Sequence, residues 1–163
     1  MNPLPETTGW NVRGYHPREV VALARLFTRT VREVNARDYS PEQIDAWAPE
    51  KTDINHWNLR LRGRTVLVAE SDSDIVGFVA WEADGHLDLL YVDYRHQRRG
   101  IGTALCRPME KSAVERQIPR IYTEASITAR PFFEAMGFKV VAPQTVTFGG
   151  MDFKNFRMEK FIH

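Results

Sequence analysis

The chain has 163 residues, of which 43% are hydrophobic and 26% charged, and its formal net charge is +1. This length suits one domain and this composition suits a globular protein with a sizeable core, so we expect residues 1–163 to form a single domain. A net charge this close to zero provides no field that would recruit nucleic acid or an anionic membrane, and neither is an expected partner.

The cysteine content and the apolar runs predict a cellular compartment. Cys106, the one cysteine, excludes an internal disulfide and a cysteine-rich metal site, and it fits a reducing environment. The N-terminal segment MNPLPETTGW lacks the basic flank and apolar centre of a signal peptide. The longest apolar runs fall far short of the roughly 20 residues that span a bilayer. We therefore expect a soluble cytoplasmic protein with no metal.

Hydrophobic spacing and capping patterns predict the first half of the chain. A short strand is expected at 10–15, followed by a helix that Pro17 opens and that extends to Val34. The pattern Ser40-Pro-Glu-Gln43 is a capping box, which predicts a second helix ending at Trp47. A third short helix is expected at 53–61.

The second half predicts more strands. The expected elements are strands at 65–70, 75–82 and 86–92, a helix at 100–116, a strand at 120–123, a helix at 128–136, and strands at 138–148 and 151–160. Tight turns are expected at 71–74, 83–85 and 149–150. This order mixes hairpins with strand–helix–strand crossovers and predicts an α+β protein.

A basic, glycine-containing segment lies between the strand at 86–92 and the helix that follows. Gln97, Arg98 and Arg99 precede Gly100-Ile101-Gly102. The start of a helix presents unpaired N–H groups, and glycine lets a phosphate approach them closely. A glycine turn with solvated arginines is the alternative. No P-loop pattern is present, and Leu105 replaces the third glycine of the dinucleotide pattern.

Two segments carry a family resemblance. The sequence Gln97-Arg-Arg-Gly-Ile-Gly102 resembles the [RQ]-x-x-G-x-[GA] signature of the GNAT N-acetyltransferase superfamily, and Ala129 to Phe138, ARPFFEAMGF, resembles its A-x-x-[FL]-Y-E-x-x-G-F signature. The segment 27–49, with Thr123-Glu-Ala-Ser126, resembles an uncharacterised bacterial branch. The resemblance implies α/β/α layers around a mixed, mostly antiparallel central sheet of about seven strands with a central splay.

The same resemblance implies acetyl-CoA as a cosubstrate. Main-chain amides of residues 97–102, with Thr103 nearby, would hold the pyrophosphate. The strand end at 90–92 would hydrogen-bond the pantetheine arm, and the helix near Ala129 would cover it. The implied cofactor-binding residues are Leu90, Tyr91, Val92, Gln97, Arg98, Arg99, Gly100, Ile101, Gly102, Thr103, Ser126, Ala129, Phe132 and Phe133.

Acetylation of an amine requires removal of a proton. An alkylamine has a pKa of about 10.4, so few molecules are neutral at pH 7, and a base must accept the proton. Strand alternation predicts that His86 and Asp88 share a face with Leu90 and Val92. The candidate bases are His86, Asp88, Glu124 and, at the end of the preceding strand, Glu82. Each has the alternative of a solvent-facing polar residue.

In many members of the family that the sequence resembles, a tyrosine protonates the departing thiolate. Phe133 occupies the position of that tyrosine here. Because phenylalanine has no hydroxyl, another donor would have to replace it. The candidate acids are Tyr122 and Ser126, with Tyr91 or a water as further donors.

These observations predict an enzyme that moves the acetyl group of acetyl-CoA to an amine of a small molecule or peptide, by direct attack in a ternary complex. The alternative is a non-catalytic acyl-CoA-binding sensor or interaction module, which Phe133 favours.

The final hairpin could form the edge of a homodimer. The acceptor would contact the early helices and the last hairpin, where the candidates are Tyr39, Trp47, His56, Trp57, Phe148, Met151, Phe153 and Asn155. For the tryptophans, packing in the core is the favoured alternative.

Overall fold

A computed structural model describes residues 9–162. The prediction that the first residues are not a signal peptide falls largely on residues 1–8, outside this range. The strands are β1 (Asn11–Gly14), β2 (Thr65–Ser71), β3 (Asp74–Trp81), β4 (Leu87–Val92), β5 (Arg120–Ser126), β6 (Lys139–Phe148) and β7 (Met151–Phe161). The helices are α1 (Val20–Glu33), α2 (Pro41–Trp47), α3 (Ile54–Leu61), α4 (Ile101–Glu115) and α5 (Arg130–Ala135), with 3₁₀ turns at Pro17–Glu19, Asn35–Arg37 and Tyr94–His96.

The strands form two hydrogen-bonded sheets. One has the order β1-β2-β3-β4 and the other β5-β7-β6, and all pairs within them are antiparallel. A parallel bridge between His86, the residue before β4, and Tyr122 of β5 connects the two sheets. The prediction of a mixed, mostly antiparallel arrangement of about seven strands is confirmed. The hydrogen bonding divides it into four strands and three instead of one continuous sheet.

Local sequence patterns explain where several elements begin. The Ser40 hydroxyl accepts the N–H of Gln43, and the Gln43 side chain accepts the N–H of Ser40, so the predicted capping box starts α2. The carboxylate of Asp53 accepts the N–H of His56 at the start of α3. Between β2 and β3, Asp72 and Ser73 have φ values of 49° and 69°, as a two-residue hairpin turn requires.

Helices cover both faces of the sheets, which gives the expected α/β/α layers. Helices α1, α2 and α3 enclose the first core, whose buried side chains include Leu23, Phe27 and Phe78. Helices α4 and α5 enclose the second core, which includes Leu105 and Met158. The side chains of β3 alternate between the two cores, because successive side chains of a strand point to opposite faces.

Several side chains with possible chemical roles pack inside these cores. Tyr39, Trp57 and Phe153 are buried in the first core, so packing explains these predicted acceptor-side aromatics. Cys106 is buried in the second core, and burial raises the pKa of its thiol to about 12. A buried thiol in this state is an unreactive packing residue.

Two further observations apply to residues 9–162. None of their helices is both long enough and apolar enough to cross a bilayer. They also contain no cluster of three or more His, Cys, Asp or Glu side chains arranged to hold a metal ion.

The Tyr39 hydroxyl attaches the helical layer to the second sheet. Its hydroxyl donates to the carbonyl of Lys154 at 2.7 Å and accepts the N–H of Ile127 at 3.0 Å. We expect Tyr39→Phe to lower the free energy of unfolding by about 1–3 kcal/mol, because a part-buried N–H and carbonyl lose their partner. Urea denaturation measures the change, and Tyr94→Phe, which removes an exposed hydroxyl, is the matched control. Equal losses in the two variants would contradict this assignment.

Candidate active site

The candidate site is the gap between β4 and β5. At one end the strands are joined, because the N–H of Tyr122 donates to the carbonyl of Gly85 at 3.0 Å and the Thr123 hydroxyl donates to the carbonyl of Leu87 at 2.8 Å. Beyond this point β4 pairs only with β3, and β5 only with β7. The strands therefore separate towards Val92 and Ser126, which is the central splay that the resemblance implied.

The ladder pattern shows which main-chain groups face the gap. In an antiparallel pair, alternate residues direct their N–H and C=O towards the partner strand and the others direct them away. Asp93 donates its N–H to Val76 of β3, so Tyr91 also bonds to β3, whereas the groups of Leu90 and Val92 point into the gap. On β5 the same pattern directs the groups of Glu124 and Ser126 into the gap, since Ile162 bonds back to Pro119.

The three residues predicted to hold pantetheine therefore differ in position. Leu90 presents its main-chain groups to the gap. The carbonyl of Val92 already accepts the Gln97 side-chain amide at 2.6 Å and the Thr30 hydroxyl at 3.3 Å. Tyr91 directs its main chain to β3 and packs its ring against aromatic side chains of the first core. Of the three, Leu90 has the main-chain position best suited to pairing with an extended ligand.

The glycine turn leads directly into α4. Gly100 has a φ of +83°, a left-handed conformation that favours glycine. The first helical hydrogen bond runs from the N–H of Ala104 to the carbonyl of Gly100, which leaves the N–H groups of Ile101, Gly102 and Thr103 without a helical partner. With the positive end of the α4 dipole, these three groups have the geometry that could accept an anion. Arg98 and Arg99 are exposed beside it.

Gly102 has a second role, in packing. A Cβ at this position would lie 3.0 Å from Cε2 of Phe132, so glycine allows α5 to approach the first turn of α4 closely. Ala129 and Phe132 are half-buried in this region and pack against the second core. Phe133 is buried within that core, with ring centroids 5.2 Å from Phe132 and 5.1 Å from Phe138. Packing therefore accounts for the apolar ring at the position where the resemblance implied a tyrosine.

A charged network occupies the joined end of the gap. The His86 ring contacts two carboxylates, Nδ1 to Glu82 and Nε2 to Glu124, both at 2.7 Å, and it stacks on Tyr122. The hydrogen bond to Glu124, with a second to Glu82, outweighs partial burial and raises the pKa of His86 to about 9. At neutral pH, His86 is thus an imidazolium with no lone pair to accept a proton, which argues against its predicted role as the base.

Asp88 occupies a β-bulge. Ala80 of β3 pairs with Leu89 and Trp81 pairs with Leu87, so Asp88 is an extra residue in β4. Its carboxylate lies 3.0 Å from Nε of Arg64 and 3.5 Å from Nε of Arg60.

This bulge corrects a prediction about side-chain direction. Leu90 and Val92 pack against the second core, whereas Asp88 is directed towards arginines in and just after α3, on the side of the first core. The prediction that Asp88 and His86 share a face with Leu90 and Val92 is therefore wrong. One extra residue interrupts the alternation along a strand.

The two candidate acids, Tyr122 and Ser126, differ in whether the hydroxyl proton is available for donation. The Tyr122 hydroxyl donates to Asp84, and this hydrogen bond raises the pKa of Tyr122 to about 12, which makes it a poor proton donor. The Ser126 oxygen accepts the N–H of Ala129 at 3.0 Å and lies 3.4 Å from the Asn35 side-chain amide. Because both contacts use the oxygen as an acceptor, the Ser126 proton remains available.

Sequence reasoning did not identify several groups at the site, namely Thr30, Asn35, Arg60, Arg64, Asp84 as the partner of Tyr122, and Asp93. One contact had an available signal. The predicted tight turn at 83–85 brings Glu82 and His86 opposite one another, with the N–H of Glu82 bonded to the carbonyl of His86. The other contacts depend on tertiary packing.

The charge of His86 can be measured directly. We expect its imidazole resonances, followed by NMR, to titrate near pH 9 in place of 6.5, and Glu124→Gln to lower that pKa. A raised pKa in the folded state means that the contact stabilises the protein fully below pH 6.5 and that this stabilisation is lost as the pH rises through about 9. Titration near 6.5 in the wild type would show that the two carboxylates do not hold the ring.

Comparisons with known proteins agree with this geometry. Residues 35–160 match the family model described as the acetyltransferase (GNAT) domain. The chain is 38% identical over 147 residues to the uncharacterised N-acetyltransferase YafP of Escherichia coli strain K12, covering 90% of this chain and 93% of that protein.

Solved structures share the fold. A GCN5-related N-acetyltransferase from Rhodopseudomonas palustris superimposes with a TM-score of 0.88 at 32% identity, covering 93% of this chain and 94% of that one. The PaiA N-acetyltransferase of Thermoplasma acidophilum, solved in complex with coenzyme A, has a TM-score of 0.74 at 22% identity, covering 93% of this chain and 98% of that one. With the gap, the glycine turn and the family match in agreement, the chain belongs to the GNAT family of N-acetyltransferases.

Proposed function

We propose that this protein binds acetyl-CoA in the gap between β4 and β5 and transfers the acetyl group to an amine of a small molecule or peptide. The carrying observation is that two features meet at the open end of this gap. The unbonded N–H groups of residues 101–103 offer a place for the pyrophosphate, and the main chain of Leu90 offers a strand-like partner for pantetheine. The coenzyme A complex of the PaiA enzyme, which shares the fold, supports this choice of ligand.

The cofactor would then run from the glycine turn into the gap. Arg98 and Arg99 would add positive charge near the pyrophosphate, and Ala129 and Phe132 would border it on the α5 side. The Gln97 side chain would not donate to the pyrophosphate directly, because its amide is bonded to the carbonyl of Val92. Through this bond Gln97 shapes the turn. The thioester would lie between β4 and β5, near the β5 side chains that would face the amine acceptor.

Glu124 is the best-placed base. Its side chain is 43% exposed, and one carboxylate oxygen contacts His86, which leaves the other oxygen able to accept a proton from an amine. The imidazolium of His86 would orient Glu124 without competing for that proton. Asp88 is less suitable because it forms ion pairs with Arg60 and Arg64. The burial of Cys106, the only cysteine, in the second core supports direct attack in a ternary complex over a thioester intermediate on the protein.

Ser126 is the best-placed donor to the departing thiolate. It lies at the open end of β5 and has an uncommitted proton, whereas the proton of Tyr122 is donated to Asp84. The help required is modest, because a thiol pKa near 8.5 makes the thiolate a tolerable leaving group.

The protein's assembly and location belong to the same proposal. Strand β6 lies at the edge of its sheet and exposes Val141 and Phe148, which supports a homodimer through the final hairpin. The reduced, buried Cys106 supports a cytoplasmic location.

The role of Glu124 can be separated from general damage. We expect Glu124→Gln to lower kcat by about 10²–10⁴-fold, because amide nitrogen and oxygen cannot take up the amine proton. Glu115→Gln, a change of the same kind in an exposed residue near the end of α4, should leave kcat unchanged. Steady-state kinetics of both variants against pH provide the measurement. If the activity of Glu124→Gln equalled that of Glu115→Gln, another group would have to be the base.

The overall proposal is tested by calorimetric titration with coenzyme A and by acetylation assays on a panel of amines, including peptide N-termini, lysine side chains and small alkylamines. Binding with turnover of at least one amine class is the expected result. Binding without turnover across the panel would favour the non-catalytic sensor. Absence of binding at millimolar coenzyme A, with folded protein, would refute both.

A further inference from the structure

Asp93 lies between the end of β4 and the glycine turn and is 1% exposed. Its carboxylate accepts the main-chain N–H of Arg95 at 2.9 Å, Nε of Arg95 at 3.2 Å and Nη2 of Arg29 at 2.8 Å. Nδ1 of His96 lies 3.5 Å from the same group. Three elements therefore meet at one buried side chain, namely α1, β4 and the 3₁₀ turn at Tyr94–His96.

A carboxylate at this place is unfavourable for the ligand. It precedes the start of the turn at Gln97 by four residues, and a negative charge there repels a pyrophosphate. Burial alone would raise the pKa of Asp93, but the hydrogen bonds from Arg95 and the positive charges of Arg29 and Arg95 outweigh it and hold the pKa at about 2. Asp93 is thus ionised at every working pH, and electrostatic attraction does not explain its presence.

Its contacts point instead to control of the backbone. By accepting the N–H of Arg95, Asp93 starts the 3₁₀ turn and sets the direction in which the chain leaves β4. By pairing with Arg29, it fixes that turn to α1. The next residue of α1, Thr30, donates to the carbonyl of Val92, so two consecutive residues of the helix hold the end of β4.

We infer that Asp93 is a positioning residue, and that the Arg29–Asp93 ion pair sets coenzyme A affinity by fixing the glycine turn in its binding conformation. This inference rests on the cofactor site proposed above. It assigns a role in cofactor binding to α1, a helix that carries neither family signature. It also predicts that the pair acts mainly before chemistry, on binding of the cofactor.

Calorimetry with coenzyme A tests the inference in the full-length protein. We expect Arg29→Met and Asp93→Asn each to raise Kd by about tenfold, because each removes a charge-assisted hydrogen bond that holds the turn. The double variant should bind no more than about threefold more weakly than Asp93→Asn alone, since Asp93→Asn already removes the ion pair that Arg29→Met breaks. The kcat at saturating acetyl-CoA should stay within about twofold, which places the effect on binding.

Two comparisons distinguish the loss of turn positioning from the change in local charge. Arg25→Met removes the same charge from an exposed position on the same helix and should leave Kd unchanged. Asp93→Asn removes a negative charge near an anion site, so electrostatics alone would tighten binding, whereas loss of positioning weakens it. The two explanations therefore predict opposite signs for one variant.

Several results would overturn the inference. Tighter binding by Asp93→Asn, or equal Kd values for Arg29→Met and Arg25→Met, would show that the pair does not position the turn. A fall in kcat as large as the rise in Kd would show general damage to the site. If Asp93→Asn does not fold, Arg29→Met against Arg25→Met decides the question, because Arg29 is 42% exposed. Wild-type protein that fails to bind coenzyme A would instead refute the proposed function.

Discussion

The separation of β4 from β5 is the constraint on which the rest of the site depends. A continuous ladder between the two strands would satisfy their main-chain groups and close the site. The strands are instead joined only near His86 and Tyr122. At the other end, α1 and the segment after it contact both strands, through Thr30 to Val92 on β4 and Asn35 to Ser126 on β5. Helical contacts thus take the place of the missing strand pairing, and the gap exposes groups that an extended ligand can use.

The gap has chemically different ends. At the open end, free helix N–H groups and exposed arginines favour an anion. At the joined end, the imidazolium of His86 lies between Glu82 and Glu124, and Arg64 lies within ion-pair distance of Glu82 and Asp88. A cofactor with a phosphate at one end and a thioester at the other matches this division. The charged residues at the joined end hold one another in place, and in the proposed reaction this network would orient Glu124 towards the amine.

The secondary-structure elements and the glycine turn could be predicted from sequence because their determinants are local. The capping box at Ser40 and the left-handed turn at Gly100 depend on neighbours within a few residues. The side-chain contacts at the joined end of the gap could not be predicted to the same degree. The contact between His86 and Glu124 depends on the register of β4 against β5, and the bulge at Asp88 depends on its pairing with β3. Both follow from tertiary packing, and a one-residue shift reverses the direction of a side chain.

Hydrogen exchange of the main-chain amides, with and without saturating coenzyme A, tests the central claim most directly. If the cofactor occupies the gap, exchange should slow at the N–H groups of residues 101–103 and at Leu90, while β1 and β6, remote from the gap, should be unaffected. Protection confined to other segments, or unchanged exchange at residues 101–103 under saturating ligand, would contradict the claim that the gap between β4 and β5 is the acetyl-CoA site.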